Sequence, residues 1–202
     1  MARIDFWYSI GSTYSYLSVM RLADVAARTG AGFRWRPFNV RDIMVEQNNR
    51  PFVGKPEKTA YMWRDIERRA AMYGLPISVP APYPLDELEL ANRVAVLGEA
   101  EGWCADYTRA TYRRWFQQGQ PAGSSPNLED SLREIGQDAD AVVARARGED
   151  AGAALRAATE EALALGVFGS PTFSVDGELF WGDDRLDDAL TWRGAGTLAP
   201  RS

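Results

Sequence analysis

The chain has 202 residues, of which 46% are hydrophobic, which suits one domain or one small domain that carries an insertion. Its formal net charge of -5 argues against a nucleic-acid or anionic-membrane partner, since either would favour a basic surface. The absence of histidine excludes His-dependent triads and His-ligated metals, and the single cysteine, Cys104, excludes an internal disulfide or a Cys-x-x-Cys pair.

The N-terminal part of the chain has a β-α-β pattern. Residues 3–9 show the alternation of a strand, and residues 14–29 have helical spacing that ends at Gly30. Residues 32–38 alternate again and predict a second strand. A helical crossover of this length implies that the two strands are parallel and that the connection is right-handed.

The middle of the chain predicts helices only. We expect Asn127 to cap one of them. We interpret Cys104, which lies inside another, as a small buried hydrophobic residue, because free cysteine is usually part of the core. The predicted helical segments are residues 56–73, 83–102, 103–116, 127–136 and 150–165.

Strand patterns return near the C-terminus. Thr172–Val175 and Glu178–Trp181 predict two short strands that are joined by an Asp-Gly turn. Asp183 or Asp184 can cap a final helix over residues 185–192. The last residues of the chain are expected to form a loose tail.

The order of these elements predicts an α/β fold. A βαβ unit and a ββα unit would form one domain from residues 1–45 and 160–202, and residues 46–159 would form a helical insertion. The apolar runs are far shorter than a membrane span, and the N-terminus lacks a basic segment followed by an apolar one. We therefore expect a cytoplasmic protein without a membrane partner.

Four short motifs, in this order, resemble one family. The resemblance is to the 2-hydroxychromene-2-carboxylate isomerases and the kappa-class glutathione transferases, and it runs from Ile4 to about Leu190. It implies a DsbA-like thioredoxin fold with a large all-helical insertion. The motifs are DFWYSIGSTYSYLS (5–18), NNRPFVGKPEKTAYMWRDIERRA (48–70), GVFGSPTF (166–173) and FWGDDRL (180–186).

Ser12 stands where DsbA-type oxidoreductases carry the first cysteine of Cys-x-x-Cys. Since Ser12 lies between the first strand and the first helix, its hydroxyl can act as an ordinary helix cap. The resemblance implies glutathione as the cofactor, and we favour a second role in which Ser12 donates a hydrogen bond to the glutathione thiolate beside the helix N-terminus. Thr13 replaces the usual proline of the family at the next position.

The resemblance also implies residues that bind glutathione. Lys58, one of two lysines in the chain, would meet a carboxylate of glutathione, although it also fits a solvated helix face. Asn49 would bind the cofactor or the substrate through hydrogen bonds, or it is an ordinary turn-forming residue of a loop. Asn48 replaces a glycine of the family before Asn49.

The C-terminal motifs complete the implied cofactor site. Pro171 is expected to follow a cis peptide bond and to present the backbone of Ser170 to the peptide backbone of glutathione. Asp184 would take the γ-glutamyl ammonium group. Asp183, where kappa-class enzymes typically have serine, would add a negative charge nearby, and Arg185 is interpreted as a structural ion-pair partner.

The resemblance implies an isomerase of aromatic degradation that converts 2-hydroxychromene-2-carboxylate to trans-o-hydroxybenzylidenepyruvate. Reversible addition of a thiolate to the conjugated ketoacid would permit rotation about the former double bond, and no metal is expected. A kappa-class glutathione transferase that conjugates small electrophiles and a redox-inactive thioredoxin-like binding module are the alternatives. Glutathione affinity would separate the enzymes from the module, and the product would separate the two enzymes. A homodimer is also implied.

Overall fold

The computed structural model describes residues 3–49, 52 and 54–198. Residues 50, 51 and 53 of the second motif, and the last four residues of the predicted tail, lie outside the described residues. Within them the strands form one sheet in the order β2-β1-β3-β4, in which β1 is parallel to β2 and antiparallel to β3. The strands are β1 (Ile4–Tyr8), β2 (Phe33–Pro37), β3 (Thr172–Val175) and β4 (Glu178–Trp181).

Most of the described chain is helical, and the helices α3 to α9 lie between β2 and β3 in sequence. No described helix is both long and apolar enough to cross a membrane. The division of the chain at residues 46 and 160 stays a prediction. The helices are α1 (Ser15–Val19), α2 (Leu22–Thr29), α3 (Val40–Glu46), α4 (Pro56–Met72), α5 (Leu88–Glu101), α6 (Cys104–Gln118), α7 (Asn127–Glu134), α8 (Ala139–Ala146), α9 (Glu149–Ala164) and α10 (Leu186–Ala195), with a 3₁₀ turn at Asp183–Arg185 before α10.

Both faces of the sheet are buried at its centre, where β1 lies. Phe6 stacks on Phe173 with a distance of 5.3 Å between ring centroids, and it belongs to the larger hydrophobic core. Trp7 points to the opposite face and packs with Phe38 and the other apolar residues of the smaller core. Because each fully buried aromatic side chain stabilises the fold by roughly 1.5–3 kcal/mol, these alternating residues fix the register of β1.

The β3–β4 hairpin has the predicted bounds and the predicted turn. Asp176 and Gly177 both have positive φ angles, of 51° and 87°. Two left-handed residues in sequence match the twist of a tight hairpin, and Asp-Gly is one of the pairs that adopt them readily. The prediction of this hairpin is confirmed.

The single helix predicted over residues 14–29 is wrong, because the structure has two helices, α1 and α2. The guanidinium of Arg21 donates to the carbonyl oxygen of Leu17 at 2.8 Å, while the Arg21 amide donates to Ser18. The side chain therefore takes the acceptor that the amide would use in a continuous α-helix. The predicted end of the second helix at Gly30 is confirmed by the left-handed conformation of that glycine.

Asn127 does not cap α7, which corrects a second prediction. Its side-chain amide donates to the carbonyl oxygens of Thr111 and Gln120, at 3.1 and 2.8 Å, and its oxygen accepts from Ser131. A fully buried amide needs several partners at once, and these carbonyls satisfy it better than a single helix end would. Asn127 thus joins the beginning of α7 to α6 and to the loop that follows α6.

Helices α3 and α8 were not predicted. Both have the side-chain cap that sequence reasoning could have used. Asn39 accepts a hydrogen bond from the amide of Arg41, and Asp138 accepts one from the amide of Ala141. Each helix has only seven or eight residues, which leaves little periodicity to detect.

Candidate active site

A tight turn connects β1 to the residues before α1. The Ser12 amide donates to the carbonyl oxygen of Ser9 at 3.0 Å, which closes a four-residue turn. Gly11, the third residue of this turn, has a φ angle of +127°, which favours glycine. The turn places Ser12, partly buried, at the end of β1 next to β3.

The hydroxyl of Ser12 donates to the carbonyl oxygen of Ser170 at 2.6 Å. The peptide bond between Ser170 and Pro171 is cis, as predicted. Tyr14, rather than Ser12, precedes the first turn of α1, and no side chain caps that helix. The capping interpretation of Ser12 is therefore wrong, because its hydroxyl is directed across the fold to the residue before the cis-proline.

Two further serines surround the side chain of Ser170. Its hydroxyl oxygen accepts from the Ser9 amide at 2.9 Å and lies 2.9 Å from the hydroxyl oxygen of Ser15. Ser9 and Ser15 are fully buried. Hydrogen bonds among buried polar groups hold the loop before β3 against the turn after β1. Neither Ser9 nor Ser15 was predicted as a site residue, although each lies three positions from Ser12 in the sequence.

Helix α4 contacts the residues that follow Ser12. The Thr13 hydroxyl donates to the sulfur of Met62 at 3.1 Å, and the Tyr14 hydroxyl donates to a carboxylate oxygen of Asp65 at 3.0 Å. Lys58 lies one helical turn before Met62, so it belongs to the same face of α4 and is exposed. One turn of helix spans about 5.4 Å, which places Lys58 at the N-terminal end of this contact face.

An open cleft of about 530 Å³ lies at the N-terminal end of α4. Aromatic rings contribute to its wall, and the Lys58 ammonium lies 5.6 Å from the ring centroid of Phe52. An aromatic and partly polar lining is typical of sites for small organic molecules. The described residues that line the cleft are Phe52, Gly54, Lys55, Pro56, Thr59, Ala60, Trp63 and Pro80.

Asn49 is exposed after the end of α3, where its amide donates to the carbonyl oxygen of Met44 at 2.7 Å. Among the described residues, no hydrogen bond or ion pair joins Asn49, Lys58 or Asp184 to Ser12. The structure thus brings Ser12, Ser170 and Pro171 into contact, and it leaves the exposed polar residues available to a ligand.

Asp183 is buried against two arginines. Arg69 of α4 approaches its carboxylate to 2.9 Å and Arg21 to 3.6 Å, and the Tyr73 hydroxyl lies 3.3 Å away. Burial raises the pKa of the Asp183 carboxyl, and the arginines oppose this shift. The side chain is therefore turned into the protein and caps no helix. The prediction that Asp183 adds a negative charge to the cofactor site stays a prediction, and in this structure that charge faces Arg69 and Arg21.

Asp184 is exposed and lies 3.4 Å from Arg185. It does not cap α10, so that interpretation is wrong. Arg185 also bonds Asp188 at 3.0 Å, as expected for an ion-pair partner. Gly182, with a φ angle of +114°, gives the carboxylate of Asp184 its room, since a Cβ at residue 182 would lie 2.5 Å from that carboxylate.

Cys104 is buried, as predicted, and lies within hydrogen-bond distance of Tyr8. The Tyr8 hydroxyl is 3.0 Å from the sulfur and 2.7 Å from the hydroxyl of Thr108. Burial raises the pKa of the Cys104 thiol to about 12, although the hydrogen bonds to Tyr8 and Thr108 act in the opposite direction. Cys104 is therefore unsuited to act as a nucleophile.

A thioredoxin-like sheet, a helical segment between β2 and β3, and a serine opposite a cis-proline together define a DsbA-like protein without its redox cysteines. Residues 3–191 match the sequence model of the DSBA-like thioredoxin domain. The chain belongs to this family, in the group that includes the 2-hydroxychromene-2-carboxylate isomerases and the kappa-class glutathione transferases.

Individual relatives agree with this assignment. A 2-hydroxychromene-2-carboxylate isomerase of Sphingobium xenophagum is 31% identical over 189 residues, which cover 91% of this chain and 94% of the relative. The kappa 2 glutathione transferase of Caenorhabditis elegans is 23% identical over 91% of this chain and 88% of its own length. A solved 2-hydroxychromene-2-carboxylate isomerase superposes with a TM-score of 0.84 at 25% identity, covering 95% and 94% of the two chains.

Proposed function

We propose that this protein is a glutathione-dependent isomerase that converts 2-hydroxychromene-2-carboxylate, or a similar unsaturated aromatic ketoacid, to its trans open-chain isomer. The observation that carries the proposal is the Ser12 hydroxyl, which lies 2.6 Å from the carbonyl oxygen before cis-Pro171. At this position a thioredoxin-like redox enzyme needs a thiol of its own. A serine there suits a protein that works with an external thiol.

The chemistry of the exposed residues fits glutathione. This tripeptide has a thiol, two carboxylates and an ammonium group. Ser12 offers a hydroxyl, Lys58 an ammonium, Asp184 a carboxylate and Asn49 an amide, and the last three side chains are exposed. Opposite charges and hydrogen-bonding groups are thus available for each end of the cofactor.

Ser12, Lys58 and Asp184 would hold glutathione, which when bound would supply a thiolate for reversible addition to the conjugated double bond of the substrate. Ser12 would rotate its hydroxyl from Ser170 towards the sulfur and donate to the anion. A free thiol has a pKa of about 8.5, and each unit of lowering corresponds to about 1.4 kcal/mol of preference for the anion. Asn49 would donate to the enolate oxygen on which charge develops.

The cleft at the N-terminal end of α4 supports an aromatic substrate. The rings of Phe52 and Trp63 line it, and its volume of about 530 Å³ is within the range of small-molecule sites. Burial of an aromatic ring against these side chains would contribute to substrate binding.

The test follows the equilibration of the chromene and the benzylidenepyruvate by absorbance, with and without glutathione. We expect a glutathione-dependent rate, and its absence would refute the isomerase proposal. Replacing Ser12→Ala removes the donor to the thiolate and is expected to lower the rate roughly 10- to 1000-fold, as loss of one oxyanion-type donor does. Ser124→Ala, in a loop of the helical segment, is the matched control. An equal rate in both variants would exclude a catalytic role for Ser12.

The second candidate is a kappa-class glutathione transferase, which the relative from Caenorhabditis elegans supports. The two reactions differ in their net consumption of glutathione, because the isomerase regenerates it and the transferase consumes one equivalent for each product. Mass spectrometry of the products after many turnovers separates them. A chain with no affinity for glutathione would instead favour the redox-inactive binding module.

We also propose that the protein is a cytoplasmic homodimer, as the family resemblance implies. Sedimentation velocity at micromolar concentration tests the dimer, and a species of monomer mass would contradict it. Fluorescence microscopy of a tagged chain in its host tests the location.

A further inference from the structure

The side chain of Asn92, on helix α5, forms hydrogen bonds with the backbone of the turn that leads to Ser12. The side-chain oxygen of Asn92 accepts from the Ile10 amide at 2.8 Å, and its nitrogen donates to the Ile10 carbonyl oxygen at 2.8 Å. The same nitrogen also donates to Leu88 at 2.8 Å. Asn92 is fully buried, so these partners satisfy its whole amide group.

Tyr112, on helix α6, contacts the same turn on either side of Ile10. Its hydroxyl lies 3.0 Å from the carbonyl oxygens of both Ser9 and Ser12, and it donates to them. Burial raises the pKa of Tyr112 far above that of a free phenol, while a hydrogen bond from Ser15 acts in the opposite direction. The hydroxyl therefore remains protonated and remains a donor at every working pH.

These contacts from helices α5 and α6 hold the backbone at and before Ser12 in place. The carbonyl groups of Ser9, Ile10 and Ser12 each accept from Asn92 or Tyr112. Since α1 begins only at Ser15, the turn takes its position from α5 and α6 and not from a continuous helix. With its backbone held, Ser12 has only its side-chain torsion left to move between Ser170 and a ligand.

We propose that Tyr112 and Asn92 are positioning residues that set the place of the Ser12 hydroxyl for the glutathione sulfur. The inference rests on the proposed function and deepens it. Catalytic groups misplaced by about 1 Å lose roughly a hundredfold in rate, so a small release of the turn has a measurable effect. Neither residue touches the reacting atoms, and both act through Ser12.

The principal variant is Tyr112→Phe, which removes one hydroxyl and keeps the ring. Its matched control is Tyr107→Phe, because Tyr107 is equally buried on the same helix and donates to Ala91 at 3.4 Å, away from the turn. We expect Tyr112→Phe to lower the glutathione-dependent kcat about tenfold with little change in KM. The pKa of bound glutathione, titrated by thiolate absorbance near 240 nm, should rise towards its free value in this variant only.

A double-mutant cycle with Ser12→Ala separates positioning from a general loss of stability. If Tyr112 acts through Ser12, adding Tyr112→Phe to Ser12→Ala lowers kcat no further and leaves the thiol pKa unchanged. Additive losses, or equal effects of Tyr112→Phe and Tyr107→Phe, would overturn the inference and leave the isomerase proposal standing. A wild-type chain that neither binds glutathione in calorimetry nor shows a glutathione-dependent rate would overturn both.

Asn92→Asp provides a second variant in case Tyr112→Phe does not fold. The carboxyl group keeps the shape of the amide and can accept from Ile10, but it has at most one proton to donate and cannot serve the carbonyl oxygens of both Ile10 and Leu88 as the amide nitrogen does. The same titration and the same cycle with Ser12→Ala apply. A thiol pKa and a kcat like those of the wild type would contradict a positioning role for Asn92.

Discussion

The hydroxyl of Ser12 would exchange one acceptor for another during the proposed reaction. In this structure it donates to the neutral carbonyl of Ser170, a bond with a net value of about 1 kcal/mol. A hydrogen bond to an anion is roughly twice as strong as one between neutral groups. A thiolate placed beside Ser12 would therefore compete well for this proton, and the serine needs no general base.

Cys104 should be unreactive in the folded chain, because it is buried and its pKa is raised to about 12. We expect no reaction with a disulfide reagent such as Ellman's reagent at pH 8 in native buffer, and one equivalent in denaturant. A control thiol comes from Val45→Cys, since Val45 is 53% exposed. Native labelling of the wild type as fast as that of the variant would show that the site around Tyr8 opens readily.

Helix α4 connects several parts of the candidate site. Met62, Asp65 and Arg69 lie on one face at helical spacing and contact Thr13, Tyr14 and Asp183 respectively. Lys58 continues this face towards the N-terminus of the helix. The position of Lys58 relative to Ser12 therefore depends on α4 as a unit, and the buried contact at Asp183 fixes the C-terminal half of that unit.

Arg69→Met tests how much the contact between helix α4 and Asp183 contributes to stability. We expect it to lower the free energy of unfolding by about 3 kcal/mol, because it removes the nearest cation from a buried carboxylate. Arg64→Met on the same helix is the control, since Arg64 is 63% exposed and its pair with Glu67 should contribute less than about 1 kcal/mol. Urea denaturation measures both, and equal losses would mean that the pair of Arg69 with Asp183 contributes no more than a surface pair.

The whole molecule carries several buried groups that ionise only at alkaline pH. Burial raises the pKa of Tyr8, Tyr107 and Tyr112 above that of a free phenol, and that of Cys104 above that of a free thiol. The folded chain therefore retains protons that the unfolded chain loses. Their contribution to stability is complete below the unfolded pKa values, of about 8.5 for the thiol and about 10 for the phenols, and is lost as the pH rises towards the folded values.

The free energy of unfolding should accordingly fall as the pH rises above about 9, by up to about 1.4 kcal/mol per pH unit for each group that ionises only in the unfolded chain. Urea denaturation at pH 7, 9 and 10.5 measures this loss. Tyr107→Phe removes one of the groups and should make the dependence on pH less steep. Stability that stays level up to pH 10.5 would mean that these groups ionise in the folded state as well.

Local sequence determined the strands, the β3–β4 hairpin and the end of α2 at Gly30. Alternation of side chains and the positive φ angles of Asp-Gly and of Gly30 are properties of neighbouring residues, so they can be recognised in a sequence. The motifs around Ser12 and Pro171 also indicated the family. They did not indicate where the Ser12 hydroxyl points, because its acceptor is 158 residues away.

Only the tertiary structure decided how the polar groups pair. The break between α1 and α2 depends on Arg21, whose guanidinium also reaches Asp183 in the turn before α10. The contacts of Asn92 and Tyr112 with the turn before Ser12 join residues about 80 to 100 positions apart. A buried polar group bonds whichever partner the packing brings within about 3 Å. The periodicity of the sequence does not predict which partner that is. The sequence by itself therefore determined the strands, most of the helices and the family of this protein, and the packing of helices α5 and α6 decided the geometry around Ser12.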